Sequence, residues 1–239
     1  MKKISNELWI LLGLLFFDVV IILGHIYFRS WLGFFDLDKE GGLKSVFSGF
    51  QLMGSGVCAG VCALLCSKLR ASRPFVILWG LLSVLFLYLA LDDLAMIHER
   101  VGFVLNRITG LQGMYESFNW LIYFGPFIVV GIVVLLLSVR SLAFLDRHTI
   151  VPAFLGLIGF FSTLIVEYLG GELLKQGMIP LYHSSIIFEE SLLLFGETFF
   201  LLALMRGCSA LFQKVFILRT DTQLEKENVF SLSQLMKGQ

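Results

Sequence analysis

Six long apolar stretches constrain this chain more than any other feature of its sequence. About 20 consecutive apolar residues form a helix long enough to cross the ~30 Å hydrocarbon core of a bilayer. Stretches of this kind occupy residues 8–28, 46–67, 74–97, 119–139, 150–170 and 184–205. The composition, 57% hydrophobic and only 15% charged, is also that of a membrane protein. The sequence therefore predicts an all-α polytopic membrane protein, a bundle of six transmembrane helices with short loops.

The connections between these stretches are too short to hold a second folded domain. We therefore expect one six-helix transmembrane domain over 1–219 and a polar cytoplasmic tail over 220–239. Lys2 and Lys3 precede the first apolar run, as they would in a signal peptide. That run is too long for a signal peptide and no small-residue cleavage site follows it, so it is predicted to be a retained helix.

The distribution of Lys and Arg predicts the orientation, because these residues accumulate in cytoplasmic loops. Six alternating spans place twelve of the 18 basic residues on one side, together with both termini. The six assigned to the other side are Arg29, Lys39, Lys44, Arg100, Arg107 and Lys175. We expect a multi-pass protein of the bacterial inner (plasma) membrane with both termini in the cytoplasm.

Nine acidic residues lie inside or at the rims of the apolar stretches, and the sequence places no Lys or Arg among them. A carboxylate at a helix centre in hydrocarbon is unfavourable by roughly 2.5–3.5 kcal/mol, so such residues usually face a cavity or a partner. So many acids without a counter-charge predict bound protons, a bound cation or a water-filled pocket. The nine are Asp18, Asp92, Asp93, Glu99, Glu167, Glu172, Glu189, Glu190 and Glu197.

Two acidic strings are predicted to meet at one depth in the outer half of the bundle. LDDLAMIHER (91–100) ends the third span and FEESLLLFGET (188–198) begins the sixth. Residues seven apart nearly superimpose on a helix, so Asp92 is expected to share a face with Glu99. By the same spacing Glu190 and Glu197 form an acidic ladder that runs inward.

Carboxylate oxygens combined with imidazole nitrogen are ligands for Zn, Mn or Fe. The expected ligands of a divalent metal ion are Asp92, His98, Glu99, Glu167, Glu189 and Glu190. The residues expected to support them, or to continue a path inward, are Asp18, His25, Asp93 and Glu197. The spacing is neither the Glu-x-x-His pairing of ferritin-like proteins nor the H-E-x-x-H pattern, since residue 102 is Gly.

Two other ligand sets are weaker. His25 and His98 could hold a haem between two helices, but acid-rich surroundings argue against an apolar macrocycle there. Cys58, Cys62 and Cys66 repeat every four residues and could form a Cu(I) path. Small-residue spacing in the same segment favours close helix packing as their role instead.

The two acidic strings, with FFDLDKEGGL (34–43) ahead of the second span, resemble a group of bacterial multi-pass membrane proteins. Those proteins carry a Leu-Asp-acid/His-Glu motif and a Glu-Glu motif in this order. The resemblance covers most of the membrane domain and rests on short motifs. It implies the architecture and the importance of the strings, and it implies no reaction.

Our leading hypothesis is an integral membrane protein with an outward-facing carboxylate and histidine site that binds a divalent cation. The alternatives are a metal-dependent hydrolase of a lipid-like substrate, a proton- or cation-coupled transporter, and a non-catalytic assembly partner. A transporter would need Glu197 and Asp18, because a path must cross the midplane. The lipid bilayer is the one partner that the sequence predicts, and no basic patch or zinc finger points to nucleic acid.

Overall fold

The computed structural model describes most of the chain. The backbone is described over 6–37, 42–109 and 119–237, and the side chains over 7–37, 42–98, 100–109 and 123–217. Within these ranges the chain forms seven α-helices and no strand, which confirms the all-α prediction. The helices are α1 (Asn6–Phe28), α2 (Leu43–Lys68), α3 (Arg73–Ala95), α4 (Ile97–Thr109), α5 (Asn119–Leu145), α6 (Ile150–Lys175) and α7 (Ile179–Lys237).

Five helices in the described ranges are long and apolar enough to cross a membrane, so the predicted number of six was wrong. They cover Glu7–Phe28, Leu43–Lys68, Arg73–Ala95, Tyr123–Leu145 and Arg147–Lys175. The predicted span 184–205 instead lies in α7, a helix of 59 residues. Its carboxylates at 189, 190 and 197 leave no uncharged run longer than eight residues within 184–205. An odd number of spans also removes the even count on which the placement of both termini rested.

The first part of α7 nevertheless lies within the bundle, antiparallel to α6. Near the turn that joins them, a Cβ on Gly170 would lie 2.7 Å from the Ser185 hydroxyl. Near the other end of α6, the Arg206 guanidinium donates to the His148 carbonyl at 3.3 Å. Residues of α7 between these contacts, Glu197 among them, therefore lie at the depth of the α6 span.

Aromatic rings and close backbone contact hold α3, α6 and α7 together. The ring centroids of Phe86 and Phe200 are 5.3 Å apart, and those of Phe160 and Phe200 are 6.0 Å apart. A Cβ on Gly159 would lie 2.6 Å from the Cα of Gly196, so the α6 and α7 backbones are in direct contact there. Small residues at such a crossing are what allow membrane helices to approach closely.

The turn between α6 and α7 fixes the antiparallel arrangement. Gly177 adopts φ +73°, a left-handed conformation that glycine tolerates without strain. The Met178 N–H donates to the Leu173 carbonyl at 3.0 Å, which closes the end of α6 in a glycine-capped motif. At its other end the α7 backbone stays helical to Lys237, past the domain boundary predicted at 219.

Candidate functional site

A buried polar stripe runs along α2. In this helix the sequence had indicated only the cysteines as candidate ligands. Lys44, Ser48, Gln51 and Ser55 are all almost completely buried. Steps of four, three and four residues put them on one face of the helix. This face turns toward α7 and α1, where it meets the acidic side chains of both helices.

Lys44 lies among the carboxylates where no Lys or Arg was expected, so that expectation was wrong. Its ammonium lies 2.7 Å from Glu190 Oε2 and 3.4 Å from Asp93 Oδ1, and its side chain is 8% exposed. From the sequence, Lys44 was expected to lie in an outer loop. Because α2 begins at Leu43, Lys44 instead belongs to the first helical turn and points into the bundle.

Glu197 lies two helical turns deeper than Glu190, on the same side of α7. Its Oε1 accepts a hydrogen bond of 2.7 Å from the Ser48 hydroxyl, and the side chain is 1% exposed. Its Oε2 has no hydrogen-bond partner among the described residues. Glu197 also interacts electrostatically with Lys44, Asp93 and Glu190. We refer to Lys44, Asp93, Glu190 and Glu197 together as the Lys44 cluster.

Asp18 closes a triangle of hydrogen bonds at the middle of the α1 span. The Gln51 amide donates to Asp18 Oδ1 at 3.1 Å and to the Thr198 hydroxyl at 2.9 Å. The Thr198 hydroxyl in turn donates to Asp18 Oδ2 at 2.8 Å. All three side chains are buried. We call Asp18, Gln51 and Thr198 the Asp18 triangle; it adjoins the Lys44 cluster through the neighbouring residues Glu197 and Thr198.

Asp92 pairs with His98 across a break between α3 and α4. Met96 adopts a left-handed φ of 55°, which ends α3 and lets α4 start in a new direction. Asp92 Oδ1 accepts the His98 backbone N–H at 2.8 Å, and Asp92 Oδ2 lies 2.7 Å from His98 Nδ1. The first bond satisfies a donor in the first turn of α4 that has no intrahelical partner. Because of this break, the expectation that Asp92 and Glu99 share one helix face was wrong.

The remaining predicted site residues are spread over other surroundings. His25 is 1% exposed, and its Nδ1 accepts the Leu37 backbone N–H at 2.9 Å, which ties the chain after α1 back to that helix. Glu167 and Glu189 are half-buried. Glu172 forms an ion pair of 2.7 Å with Lys175, three residues along α6 at the rim. The side chain of Glu99 lies outside the described residues.

The metal-binding prediction can be compared with the described side chains only, which do not include that of Glu99. No three His, Cys, Asp or Glu side chains among them converge in a geometry that could hold one. Asp92 and His98 supply two ligands at most, and the Lys44 ammonium already pairs with Glu190 and Asp93. Because the expected ligand set also includes Glu99, the divalent-cation site stays a prediction.

The cysteines pack in the core, as their spacing indicated. Cys62 and Cys66 are buried in the main hydrophobic cluster, and Cys58 and Cys208 are packed against it. All four are free thiols.

A protein-family model matches residues 4–208, which is nearly all of the bundle described above. The family is described as a domain of unknown function, DUF8692. This chain belongs to that family. The match includes every residue of the Lys44 cluster and of the Asp18 triangle, and it ends within α7. Comparisons with curated proteins and with solved structures gave no match.

Four residues of the site were not predicted from the sequence: Lys44, Ser48, Gln51 and Thr198. A signal for three of them was present, since polar residues at 44, 48 and 51 recur at helical spacing within an apolar segment. That spacing places them on one buried face. No comparable signal marked Thr198, whose role depends on the approach of α1 to α7.

Proposed function

We propose that this membrane protein binds and releases protons at the Lys44 cluster, and that proton exchange there is coupled to transport across the membrane. The observation that carries the proposal is the position of the Lys44 ammonium among the carboxyl groups of Glu190, Asp93 and the buried Glu197. With all four groups ionised, one positive and three negative charges would leave a net charge of −2. An uncompensated buried charge is strongly unfavourable, so Glu197, which is 1% exposed, is driven to take up a proton.

Glu197 is the best candidate for a proton carrier within the cluster. Lys44 contacts Glu190 and Asp93 directly, whereas Glu197 receives one hydrogen bond from the neutral Ser48 hydroxyl. Its other oxygen is buried without a partner among the described residues. A protonated carboxyl group carries no charge and still accepts the Ser48 hydrogen bond. The surroundings of Glu197 therefore favour its neutral form.

A route toward the middle of the bundle supports transport over a purely structural role. Ser48 contacts Glu197, and Gln51, one turn further along α2, contacts Thr198 and Asp18. Two acidic groups, Glu197 and Asp18, thus contact successive turns of the same polar face of α2. Groups of this kind in membrane helices commonly mark proton relays.

We further propose a bacterial inner membrane location in which the Lys44 cluster faces outward. The opposite end of the bundle carries Lys68, Arg73, Arg147 and Arg206, and such an excess of basic residues is typical of the cytoplasmic side. Since α7 follows α6 back to that end, the N-terminal end of α1 and the exit of α7 both lie there. This supports cytoplasmic termini without the even count of spans.

A second candidate function follows from the Asp92–His98 pair. A carboxylate that contacts both the backbone and the ring of a histidine fixes the ring for proton transfer, as in many hydrolases. His98 is 25% exposed, so a substrate could reach it. Hydrolysis of a lipid-like substrate would require His98 and would leave Glu197 dispensable.

Proton flux into vesicles tests the first proposal. The full chain is reconstituted into liposomes that contain a pH-sensitive dye, and a potassium diffusion potential drives protons inward. We expect faster acidification than in protein-free vesicles, and a return to the protein-free rate for Glu197→Gln. Glu172→Gln, which alters an exposed ion pair, should behave as the wild type. Wild-type flux equal to that of empty vesicles, or full flux in Glu197→Gln, would contradict proton coupling.

A further inference from the structure

A cavity of about 390 Å³ lies at the end of the bundle away from the Lys44 cluster. It opens where the α1 span begins at Glu7, where the α5 span ends at Leu145, and beside α7. The cavity is therefore at the boundary between the apolar spans and the water. Its volume falls within the ~300–1,000 Å³ range of small-molecule sites. Its polar lining consists of Glu7, Asp146, Arg206, Ser209, Gln213 and Lys214.

The Arg206 guanidinium is fixed by two hydrogen bonds and has further N–H donors. Its Nε donates to Glu7 Oε2 at 3.0 Å, and its NH1 donates to the His148 carbonyl at 3.3 Å. A guanidinium has five N–H groups in a fixed plane. Three of the five thus have no partner among the described residues. A fixed guanidinium of this kind suits a phosphate, which it can bind through two parallel hydrogen bonds.

The lining of the cavity contains both positively and negatively charged side chains. Lys214 lies eight residues after Arg206, on the same side of α7, and is exposed. Asp146, which follows α5, also lines the cavity, and its Oδ1 accepts the His148 backbone N–H at 3.0 Å. Leu145 and Ile217 add apolar surface to the lining. The lining thus has two basic groups, the carboxylate of Glu7 that pairs with Arg206, a second carboxylate at Asp146, and an apolar edge. These groups match a phosphate that carries an ammonium group and an acyl-bearing glycerol.

We propose that this cavity binds the headgroup of a zwitterionic, ethanolamine-type phospholipid. Arg206 and Lys214 hold the phosphate, Asp146 accepts hydrogen bonds from the ammonium, and Leu145 and Ile217 lie beside the glycerol. The site is independent of proton binding at the Lys44 cluster, which lies at the other end of the spans.

Native mass spectrometry of the detergent-purified full chain tests this site. The protein is incubated with equal amounts of phosphatidylethanolamine and phosphatidylglycerol that share the same acyl chains, and the bound lipid is counted. We expect preferential binding of phosphatidylethanolamine, and roughly tenfold weaker binding of both lipids for Lys214→Ala, the usual effect of losing a hydrogen bond to a charged group. Lys68→Ala removes an exposed lysine outside the cavity and should leave binding unchanged.

Asp146→Asn separates recognition of the ammonium from recognition of the phosphate. Asparagine can still accept the His148 N–H, so the turn between α5 and α6 is retained. We expect this variant to bind the two lipids equally. Equal binding by the wild type, or the same result for Lys214→Ala and Lys68→Ala, would overturn the proposal. Displacement of bound lipid by soluble O-phosphoethanolamine at the lipid's own concentration would overturn the assignment to a lipid and identify a soluble ligand.

Discussion

Lys44 Nζ lies 2.7 Å from Glu190 Oε2, and neither side chain is more than 16% exposed. This contact joins the first turn of α2 to α7 and places a positive charge inside a group of acids. A buried ion pair adds little net stability compared with apolar residues of the same shape. Removal of only one partner, however, is strongly destabilising, because it leaves the other charge buried without a counter-charge. The pair therefore explains why the acidic residues of α3 and α7 can lie together within the bundle.

Replacement of Lys44 by Met should destabilise the protein by about 3–5 kcal/mol, because it leaves Glu190 and Asp93 without their counter-charge. Addition of Glu190→Gln to that variant should recover part of the loss. Thermal unfolding in detergent of the two single variants and the double variant measures the coupling. Lys175→Ala breaks an exposed pair with Glu172 and should change stability by about 0–1 kcal/mol. Strictly additive effects of the Lys44 and Glu190 changes would show that the two groups do not interact.

Replacement of Thr198 by Val should destabilise the protein by about 1–3 kcal/mol, because it leaves Asp18 Oδ2 without its donor and one of the two Gln51 amide N–H groups without its acceptor. The side chains are nearly equal in volume, so packing is preserved. Thr163→Val is the matched control, since among the described residues the Thr163 hydroxyl donates only to the Gly159 carbonyl of its own helix. The same unfolding measurement applies. Equal effects of the two substitutions would mean that the Asp18 triangle contributes nothing specific.

Replacement of Gly159 by Ala should destabilise the protein by about 1–3 kcal/mol, because the new Cβ would lie 2.6 Å from Gly196 Cα and push α6 away from α7. Gly80→Ala places a Cβ where no atom lies within 4 Å and should be neutral or slightly stabilising. Unfolding midpoints of the two variants in detergent make the comparison. A neutral Gly159→Ala would argue against direct backbone contact at this crossing.

The apolar runs of the sequence were sufficient to predict most of the membrane helices. Length and hydropathy determine a span locally, so the runs at 8–28, 46–67 and 74–97 correspond to α1, α2 and α3. The same criterion failed for α7, where the carboxylates interrupt the run. Its place beside α6 depends on the Gly159–Gly196 contact, which is a tertiary feature.

The composition of the site was only partly accessible from the sequence. The acids at 93, 190 and 197 were identified, because charge in an apolar segment is a local signal. Lys44 was assigned to a loop because the helix start at Leu43 could not be located to within a turn. Likewise, the prediction that Asp92 and Glu99 share a face assumed a continuous helix. The residue at 96 is Met, which does not predict the left-handed turn found there.

We expect a carboxyl group of the Lys44 cluster to carry a proton inside the folded protein. Infrared difference spectroscopy of the reconstituted full chain, titrated from high to low pH, measures this directly through the C=O stretch of protonated carboxyl groups. We predict such a band in the wild type, its loss or marked reduction in Glu197→Gln, and no change in Glu172→Gln. A spectrum in which the Glu197→Gln band matches the wild type would contradict the assignment of the proton to Glu197. Absence of any buried carboxyl band across the titration would contradict proton binding by the cluster.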